Sequence, residues 1–363
     1  MELEKINRIK PDEMTSTERM DALLAGKPID RVPLTNFGIR EFCAKNVGYT
    51  IADVYNDPEK SFYAQLWTME QYGFQLEPNL AYASYGSWEF GGEVKMPSGK
   101  WEQAPQIKRH PIETEANAWD LTLPDITKAG MLPTMMQFSK IVEKNGLPIQ
   151  PFVSPPFTTV GNLCGVERLC RWMYKKPQVV HHLLQLATDH AVAVAKHWVD
   201  TFGVENVYAR EGTATESNQI ISPKHFERFV LPYEKQLHER ILSLGIKRFF
   251  NCHICGDEEM NLPYWVQVAM GELGLVSFDH DTDLDESIKY FGETCIIAGN
   301  INTSVLQTGT PQEVYELARQ CIEKGRKAPR GFMLSAGCGV PPMAPPYNIY
   351  MMRKAIDDFG WYK

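Results

Sequence analysis

Short apolar runs and longer amphipathic segments alternate along most of the chain. Apolar runs bounded by Gly, Pro, Asn or Asp are typical of buried strands, whereas apolar residues that recur every three or four positions predict helices. The pattern predicts strands at residues 32–37, 79–85, 148–153, 206–210, 246–252, 275–279, 294–299 and 331–335. The helices predicted between them lie at residues 61–72, 132–145, 163–175, 177–201, 223–244, 260–271, 284–291, 311–326 and 348–359.

A helical lead-in precedes the first strand, because Thr15 and Glu18 have the spacing of a capping box and Gly26 ends the helix. Regular alternation of strand and helix argues for a parallel sheet, and eight such units suit a closed barrel. We therefore expect an α/β fold, a single (β/α)8 TIM-barrel domain over residues 1–363. An open doubly wound sheet is the alternative, but no Gly-x-Gly-x-x-Gly follows the first strand.

Residues 88–112 interrupt this alternation. Two segments, 88–96 and 100–108, flank the turn-forming sequence Pro97-Ser98-Gly99. We interpret them as a β-hairpin excursion that lies over one end of the domain.

A candidate metal site begins at the end of the predicted strand 246–252. His253 and Cys255 are two residues apart, so on an extended segment their side chains point the same way, and Cys252 points to the opposite face. Cys338 stands between two glycines after the last predicted strand. One imidazole and two thiolates suit Zn²⁺, and a set of three leaves a fourth position open, as in catalytic sites. The alternative is that these cysteines are ordinary buried residues.

In a parallel barrel, the residues at the carboxyl ends of the strands converge on one mouth. Glu216, with Glu211 as its competitor, is a candidate for a resting fourth metal ligand, or else a solvated loop carboxylate. Polar side chains expected at the mouth are Arg210, Glu211, His253, Cys255, Asp279, His280, Asn300 and Cys338. Aromatic and methionine residues that could form an apolar substrate slot, or simply belong to the core, are Phe37, Phe42, Tyr82, Tyr85, Trp88, Phe90, Phe157 and Met343.

Composition narrows the class of protein. The chain has 363 residues, 44% of them apolar, and a formal net charge of −8 without a long basic run, which argues against nucleic acid as a partner. No apolar segment suits export or a membrane span, so we expect a cytoplasmic protein with no membrane association. The eight cysteines are then best interpreted as reduced thiols.

Several motifs together resemble the uroporphyrinogen decarboxylase superfamily. They are Glu18–Met20, Gly26–Pro33, Ser222–Phe226 with Phe229 and Pro232-Tyr233, His253–Gly256, Gly299–Ile301, and Gly337–Gly339 with Pro342 and Asn348. The chain departs from the decarboxylases in two places. Their arginine-containing substrate pattern is replaced by Asn36–Arg40, and Cys338 stands where they carry a late histidine.

The remaining resemblance is to the zinc- and corrinoid-dependent methyltransferases, in which a His-x-Cys pair and a distant Cys hold the metal. It implies methyl transfer between a small substrate and the cobalt of a corrinoid, such as methylcobalamin. The corrinoid should arrive on a separate protein, because the carrier pattern Asp-x-His-x-x-Gly is absent.

Two substrate classes stay open at this point. We expect demethylation of methoxylated aromatics slightly more than methylation of a thiol of the coenzyme M type. Asp279 and His280 are the candidates for protonating an ether oxygen, or have a structural role. Arg210 and Asn300 are candidate substrate contacts beside Phe37, Tyr82, Tyr85 and Met343. A decarboxylase, or a zinc-binding scaffold without catalysis, is a weaker alternative.

Overall fold

The centre of the protein is a five-stranded parallel sheet whose strand order follows the chain. The structure is a computed structural model, and it describes residues 11–98 and 104–362. Short strands β1 and β2 form a separate antiparallel pair, and β3 to β7 form the parallel sheet. Their bounds are β1 Glu93–Lys95, β2 Gln106–Arg109, β3 Ala209–Gly212, β4 Phe249–Ile254, β5 Leu275–Phe278, β6 Ile296–Ile301 and β7 Phe332–Ala336.

Isolated parallel bridges extend this sheet at both edges. Leu34 pairs with Leu334 of β7 and with Phe74, and Phe152 pairs with Arg210 of β3. Three further extended segments therefore lie beside the five strands. Among the described residues no backbone pairing joins the two outermost segments, at Phe74 and Phe152, but residues 78–80 and 150–151 share the walls of one small cavity. The predicted parallel α/β arrangement is confirmed.

Helices separate the strands along the chain, as the alternating pattern predicted. Their bounds are α1 Ser16–Leu24, α2 Arg40–Asn46, α3 Ile51–Asn56, α4 Pro58–Tyr72, α5 Glu115–Asp120, α6 Leu132–Lys144, α7 Pro156–Cys164, α8 Val166–Lys175, α9 Pro177–Phe202, α10 Pro223–His225, α11 Leu231–Ser243, α12 Leu262–Trp265, α13 Leu284–Phe291, α14 Thr303–Thr308, α15 Pro311–Gly325 and α16 Pro346–Phe359. Across the described parts of the chain, no helix combines the length and the apolar character that crossing a membrane requires.

The second strand was predicted wrongly. Residues 79–85 form no strand; the pairing in this part of the chain is made earlier, at Phe74, directly after α4 ends at the left-handed Gly73. Gln65 satisfies the backbone of Asn79 on both sides, since its side chain accepts from Asn79 N at 3.0 Å and donates to Asn79 O at 2.9 Å. This backbone therefore needs no neighbouring strand, and the segment instead lines the cavity described below.

The predicted helix 223–244 is interrupted. Residues Phe226–Val230 form a π turn between α10 and α11. Pro232 has no N–H to continue the regular hydrogen bonds, and its ring crowds the carbonyl four residues earlier, so the chain takes a wider turn before it. The predicted helix 260–271 is also shorter than expected, because its α-helical part is α12.

The predicted hairpin over residues 88–112 is present as the antiparallel pair β1 and β2. Its strands are shorter than the pattern suggested. Of the predicted turn, Gly99 lies outside the described residues, as does Lys100.

The helical lead-in is attached to the rest of the protein by a buried ion pair. The predicted capping box of Thr15 and Glu18 starts α1. On the same helix, Arg19 Nε donates to Asp30 Oδ1 at 2.6 Å and its Nη2 donates to Oδ2 at 2.7 Å. Burial raises the pKa of Asp30, but the hydrogen bonds and charge of Arg19 outweigh this and lower it to about 2.

Replacing Asp30 with Asn should therefore lower the free energy of unfolding by about 3 kcal/mol, because Arg19 would keep a buried charge with only the partly exposed Asp12, 3.3 Å from its Nη2, as counter-ion. In the unaltered protein the contribution of Asp30 should be complete above its unfolded pKa of roughly 4 and be lost as the pH falls through about 2. Urea unfolding over a range of pH measures both effects.

Asp200→Asn serves as the control, because Asp200 pairs with Lys196 at the exposed surface and should cost less than about 1 kcal/mol. Equal losses in the two variants would contradict the importance of the buried pair.

A candidate metal and substrate site at the carboxyl ends of the strands

Four side chains from three strand ends meet at one point. The potential ligand atoms of His253, Cys255, Asp279 and Cys338 all lie within 4.8 Å of one another. The sulfurs of Cys255 and Cys338 are 3.7 Å apart, and the Cys255 sulfur lies 3.5 Å from Asp279 Oδ2. The structure thus brings together the three predicted metal ligands and adds a carboxylate, although Asp279 was predicted as a proton donor rather than as a neighbour of the sulfurs.

An irregularity in β4 aims these side chains. Asn251 has a left-handed φ of 78°, and the pairing of β4 with both neighbouring strands shifts register at this residue. Beyond this bulge, His253 and Cys255 face the mouth, whereas Cys252 faces the other side of the sheet, where its thiol contacts Glu211. The predicted alternation of Cys252 and His253 is confirmed.

Hydrogen bonds fix the orientation of His253. Ser277 donates its single hydroxyl proton to Asn251 Oδ1 at 2.6 Å, so its oxygen can only accept from His253 Nδ1, 3.0 Å away. The Asn251 amide is itself oriented, because its nitrogen donates to Asn36 O at 3.2 Å. His253 Nδ1 therefore carries the proton, and Nε2 presents a lone pair. That Nε2 is buried and has no hydrogen-bond partner in the described protein.

Phe37 packs flat against His253. The two ring centroids are 4.1 Å apart with an interplanar angle of 24°, and Arg210 covers the Phe37 ring at 5.4 Å. Gly212 makes room for this stack, because a Cβ atom there would collide with the Phe37 ring. The predicted substrate contact Phe37 thus also limits the movement of the imidazole.

The two sulfurs affect each other's ionisation. The hydrogen bond from Cys255 lowers the pKa of Cys338, although burial acts in the opposite direction. The same hydrogen bond, together with burial and the carboxylate of Asp279, raises the pKa of Cys255. The Cys338 sulfur is therefore the one of the two that more readily becomes a thiolate.

A cavity of about 260 Å³ opens beside the sulfurs. Its wall is mainly apolar and aromatic. The aromatic lining includes the predicted residues Phe37, Tyr82 and Tyr85 together with Phe152, and Arg210 also reaches it. Phe42, Phe90 and Phe157 are buried core residues instead. Trp88 lies outside the lining and is 36% exposed.

Two predicted substrate contacts lie elsewhere. Asn300 belongs to β6, and its amide donates to the backbone oxygens of Asp279 at 3.1 Å and Thr282 at 2.9 Å, so it braces the loop that carries Asp279. Met343 is 47% exposed and does not line the cavity. Sequence position alone placed both at the mouth, but neither residue lines the cavity.

The two glutamates proposed for the open metal position are already engaged. Glu216 is fully buried and accepts hydrogen bonds from Thr158 N at 2.8 Å and Ala214 N at 2.8 Å, besides the Thr158 hydroxyl. Glu211 lies 2.7 Å from His238 Nε2 on the far side of the sheet. Asp279 occupies the place beside the sulfurs that these carboxylates were expected to fill.

His280 stays next to Asp279. Its Nδ1 lies 2.5 Å from Asp279 Oδ1, although without the alignment of a hydrogen bond, and its side chain is 28% exposed. Asp279 and His280 thus lie between the sulfurs and the protein surface, where a proton could pass from one to the other.

Sequence reasoning missed the polar residues that orient the site. Asn251 and Ser277 are polar side chains inside buried apolar strands, and that mismatch was a usable signal. Arg40, Glu41 and Tyr55 also line the cavity, but they lie on α2 and α3, which the periodicity did not predict.

Comparison with known proteins covers nearly the whole chain. The family model for uroporphyrinogen decarboxylase (URO-D) matches residues 15–359. A methylated-thiol–coenzyme M methyltransferase of Methanosarcina mazei is 27% identical over an alignment of 365 positions that covers 95% of this chain and 90% of that protein. The methylcobamide:CoM methyltransferase MtaA of Methanosarcina barkeri is 26% identical, over 96% of this chain and 99% of that protein.

A solved structure agrees with the fold. A methyltransferase from Methanosarcina mazei superposes with a TM-score of 0.78 at 22% identity, over 96% of this chain and 99% of that chain. At that identity the likeness concerns the fold, and it confirms the predicted α/β architecture of the TIM-barrel type.

The contact between Gly212 and Phe37 gives a direct test of the site's packing. Gly212→Ala should lower the free energy of unfolding by about 1–3 kcal/mol, because Phe37 must leave its stack on His253. Denaturant unfolding measures the change. Gly161→Ala is the control and should cost less, because Gly161 lies inside α7 and a Cβ atom there would meet the Val166 side chain at an ordinary contact distance of 3.5 Å. An undiminished stability of Gly212→Ala would mean that Phe37 is loosely held.

Proposed function

The chain belongs to the uroporphyrinogen decarboxylase (URO-D) family, and from this premise we propose that it is a zinc-dependent methyltransferase. In this proposal a methyl group moves between the cobalt of a corrinoid, carried by a separate protein, and the sulfur of a small thiol. One observation carries the proposal. The unpartnered Nε2 of His253 and the sulfurs of Cys255 and Cys338 meet at the wall of a cavity large enough for a small substrate.

The donor set fits zinc. One imidazole nitrogen and two sulfurs are ligands that Zn²⁺ prefers, and Asp279 supplies an oxygen close to them. The buried Nε2 needs a partner, and its ring is oriented through Nδ1 by Ser277, as is usual for metal-bound histidines. Bound zinc would lower the pKa of a substrate thiol and hold it as a nucleophilic thiolate.

The protein's own residues would position the reaction. Phe37 and Ser277 hold His253 from its face and its edge, so the imidazole cannot turn away. Asp279, with His280 beside it at the surface, can accept the proton that the substrate thiol loses and pass it to solvent. The apolar cavity wall excludes water, which favours displacement at carbon over side reactions of the methyl group.

The relatives favour a thiol over an aryl ether. Both curated relatives named above are coenzyme M methyltransferases by name, and their similarity spans the chain. Demethylation of methoxylated aromatics is the second candidate, and the aromatic lining by Phe37, Tyr82, Tyr85 and Phe152 supports it. Decarboxylation of a substrate with several carboxylates has less support, because the two arginines of the cavity are already paired inside the protein.

Replacing Cys338 with Ala should remove most of the zinc that the purified protein binds, while the far-UV circular dichroism stays unchanged, because the sheet forms without the metal. Metal analysis after dialysis measures the loss. Cys170→Ala is the matched control, since Cys170 lies on α8 outside the cluster. Full zinc occupancy in Cys338→Ala would refute the assigned ligands.

The reaction itself can be followed by the cobalt spectrum. We expect a methyl-Co(III) corrinoid protein to lose its methyl group when a small thiol and the zinc-loaded enzyme are added, and Cys338→Ala to slow this on the order of 10²-fold or more. In a parallel experiment, a Co(I) corrinoid protein is offered aryl methyl ethers. Methyl-cobalt formation from an ether, with no reaction of any thiol, would replace the thiol methyltransferase by an O-demethylase. Stoichiometric zinc without either reaction would leave only a zinc-binding scaffold.

A further inference from the structure

The cavity beside the sulfurs contains two guanidinium groups, and both are already committed. Arg210 is 1% exposed and donates to Gln150 Oε1 and to Asn36 O, each at 2.9 Å, and also to Phe37 O. Its counter-ion is Glu77, 3.7 Å away. Arg210 therefore ties the cavity wall together and has little capacity left for a ligand.

Arg40 is neutralised in the same way. Its Nη2 donates to Tyr55 Oη at 3.0 Å and lies 3.5 Å from Glu41 Oε1, and Nη1 reaches Asn79 O at 3.5 Å. Glu41 also lines the cavity, so any anion that approached Arg40 would meet a carboxylate beside it. Nε of Arg40 has no hydrogen-bond partner, but it is buried.

Several other hydrogen-bond donors of the wall are also engaged inside the protein. Tyr82 donates to Glu89, and Tyr85 donates to Gly212 O. The backbone N–H of Thr213 donates to His253 O at 2.9 Å. The backbone N–H of Ala214 donates to Glu216. These polar groups of the mainly apolar wall therefore point back into the protein.

An ionised sulfonate or carboxylate loses several kcal/mol of hydration on entering such a space, and it recovers this only through charge-assisted hydrogen bonds that are free to form. The donors described above would have to give up a bond inside the protein before they could bind such an anion, and Arg40 Nε is buried away from the cavity. An alkyl or aryl group pays no such penalty and buries apolar surface.

We propose that the non-reacting part of the substrate in this cavity is uncharged and mainly apolar, an alkyl or aryl group, and that acidic substrates such as coenzyme M, a sulfonate, bind poorly. This inference rests on the proposed methyl transfer for the identity of the reacting group. It separates the chain in substrate class from its coenzyme M relatives.

The test compares size-matched neutral and acidic ligands by isothermal titration calorimetry on the full-length, zinc-loaded protein. The pairs are 1-propanethiol with coenzyme M, and guaiacol with vanillate, so both reacting groups are represented. We expect at least one neutral member to bind, and to bind about tenfold or more tightly than its acidic partner. Tighter or equal binding of the acidic member, or no binding by either neutral compound, overturns the inference.

Glu41→Gln provides a second measurement. Removing the carboxylate frees the charge of Arg40, so the acidic member should gain affinity and the preference for the neutral member should narrow by about tenfold. The control is Glu70→Gln, an exposed position on α4, which should leave the ratio unchanged. An unchanged ratio in Glu41→Gln contradicts the assigned role of the Arg40–Glu41 pair.

Failure of the inference and failure of the proposed function are distinguishable. If the neutral thiol binds but takes no methyl group from methyl-Co(III), the methyltransferase proposal fails and the binding preference stands. If coenzyme M is methylated faster than 1-propanethiol, the methyltransferase proposal stands and the substrate class is wrong.

Discussion

The hydrogen bond between His253 Nδ1 and Ser277 Oγ decides which nitrogen of the imidazole faces the two sulfurs. It has this effect only because Ser277 gives its own proton to Asn251, whose amide is held by the backbone of Asn36. These hydrogen bonds run from Ser277 in β5 through Asn251 in β4 to Asn36, which follows the extended segment at Leu34. The nitrogen that faces the sulfurs is thus set by three parts of the fold at once.

The bulge at Asn251 makes this arrangement possible, and it divides the chemistry of β4 between two faces. His253 turns toward the mouth, whereas Cys252 turns toward Glu211 and His238 behind the sheet. His238 stacks on Phe249 at 3.6 Å, and its Nδ1 donates to Ala269 O, so this second group is packed into the far side of the sheet. A residue with a left-handed φ inside a strand is costly, and such positions are kept where they aim functional side chains.

Arginine has a structural role in this cavity. Arg210 of β3 donates a hydrogen bond to the backbone oxygen of Asn36. Its guanidinium also lies over the ring of Phe37, which stacks on His253. Burial lowers its pKa to about 10, so the group remains cationic at neutral pH and needs the nearby Glu77. A charge used in this way shapes the site without attracting anions, which explains how a cavity with two arginines can still suit an apolar ligand.

The sequence by itself determined the parallel α/β fold, the hairpin, and the convergence of His253, Cys255 and Cys338, because strand periodicity is local and parallel strands place their carboxyl ends together. Resemblance supplied the methyl-transfer hypothesis. Tertiary structure alone decided the rest. That Asp279 joins the sulfurs while Glu216 is engaged by Thr158 depends on contacts between residues distant in sequence. The directions of Asn300 and Met343, and the pairing of both cavity arginines, depend likewise on packing around each side chain, which no local pattern encodes.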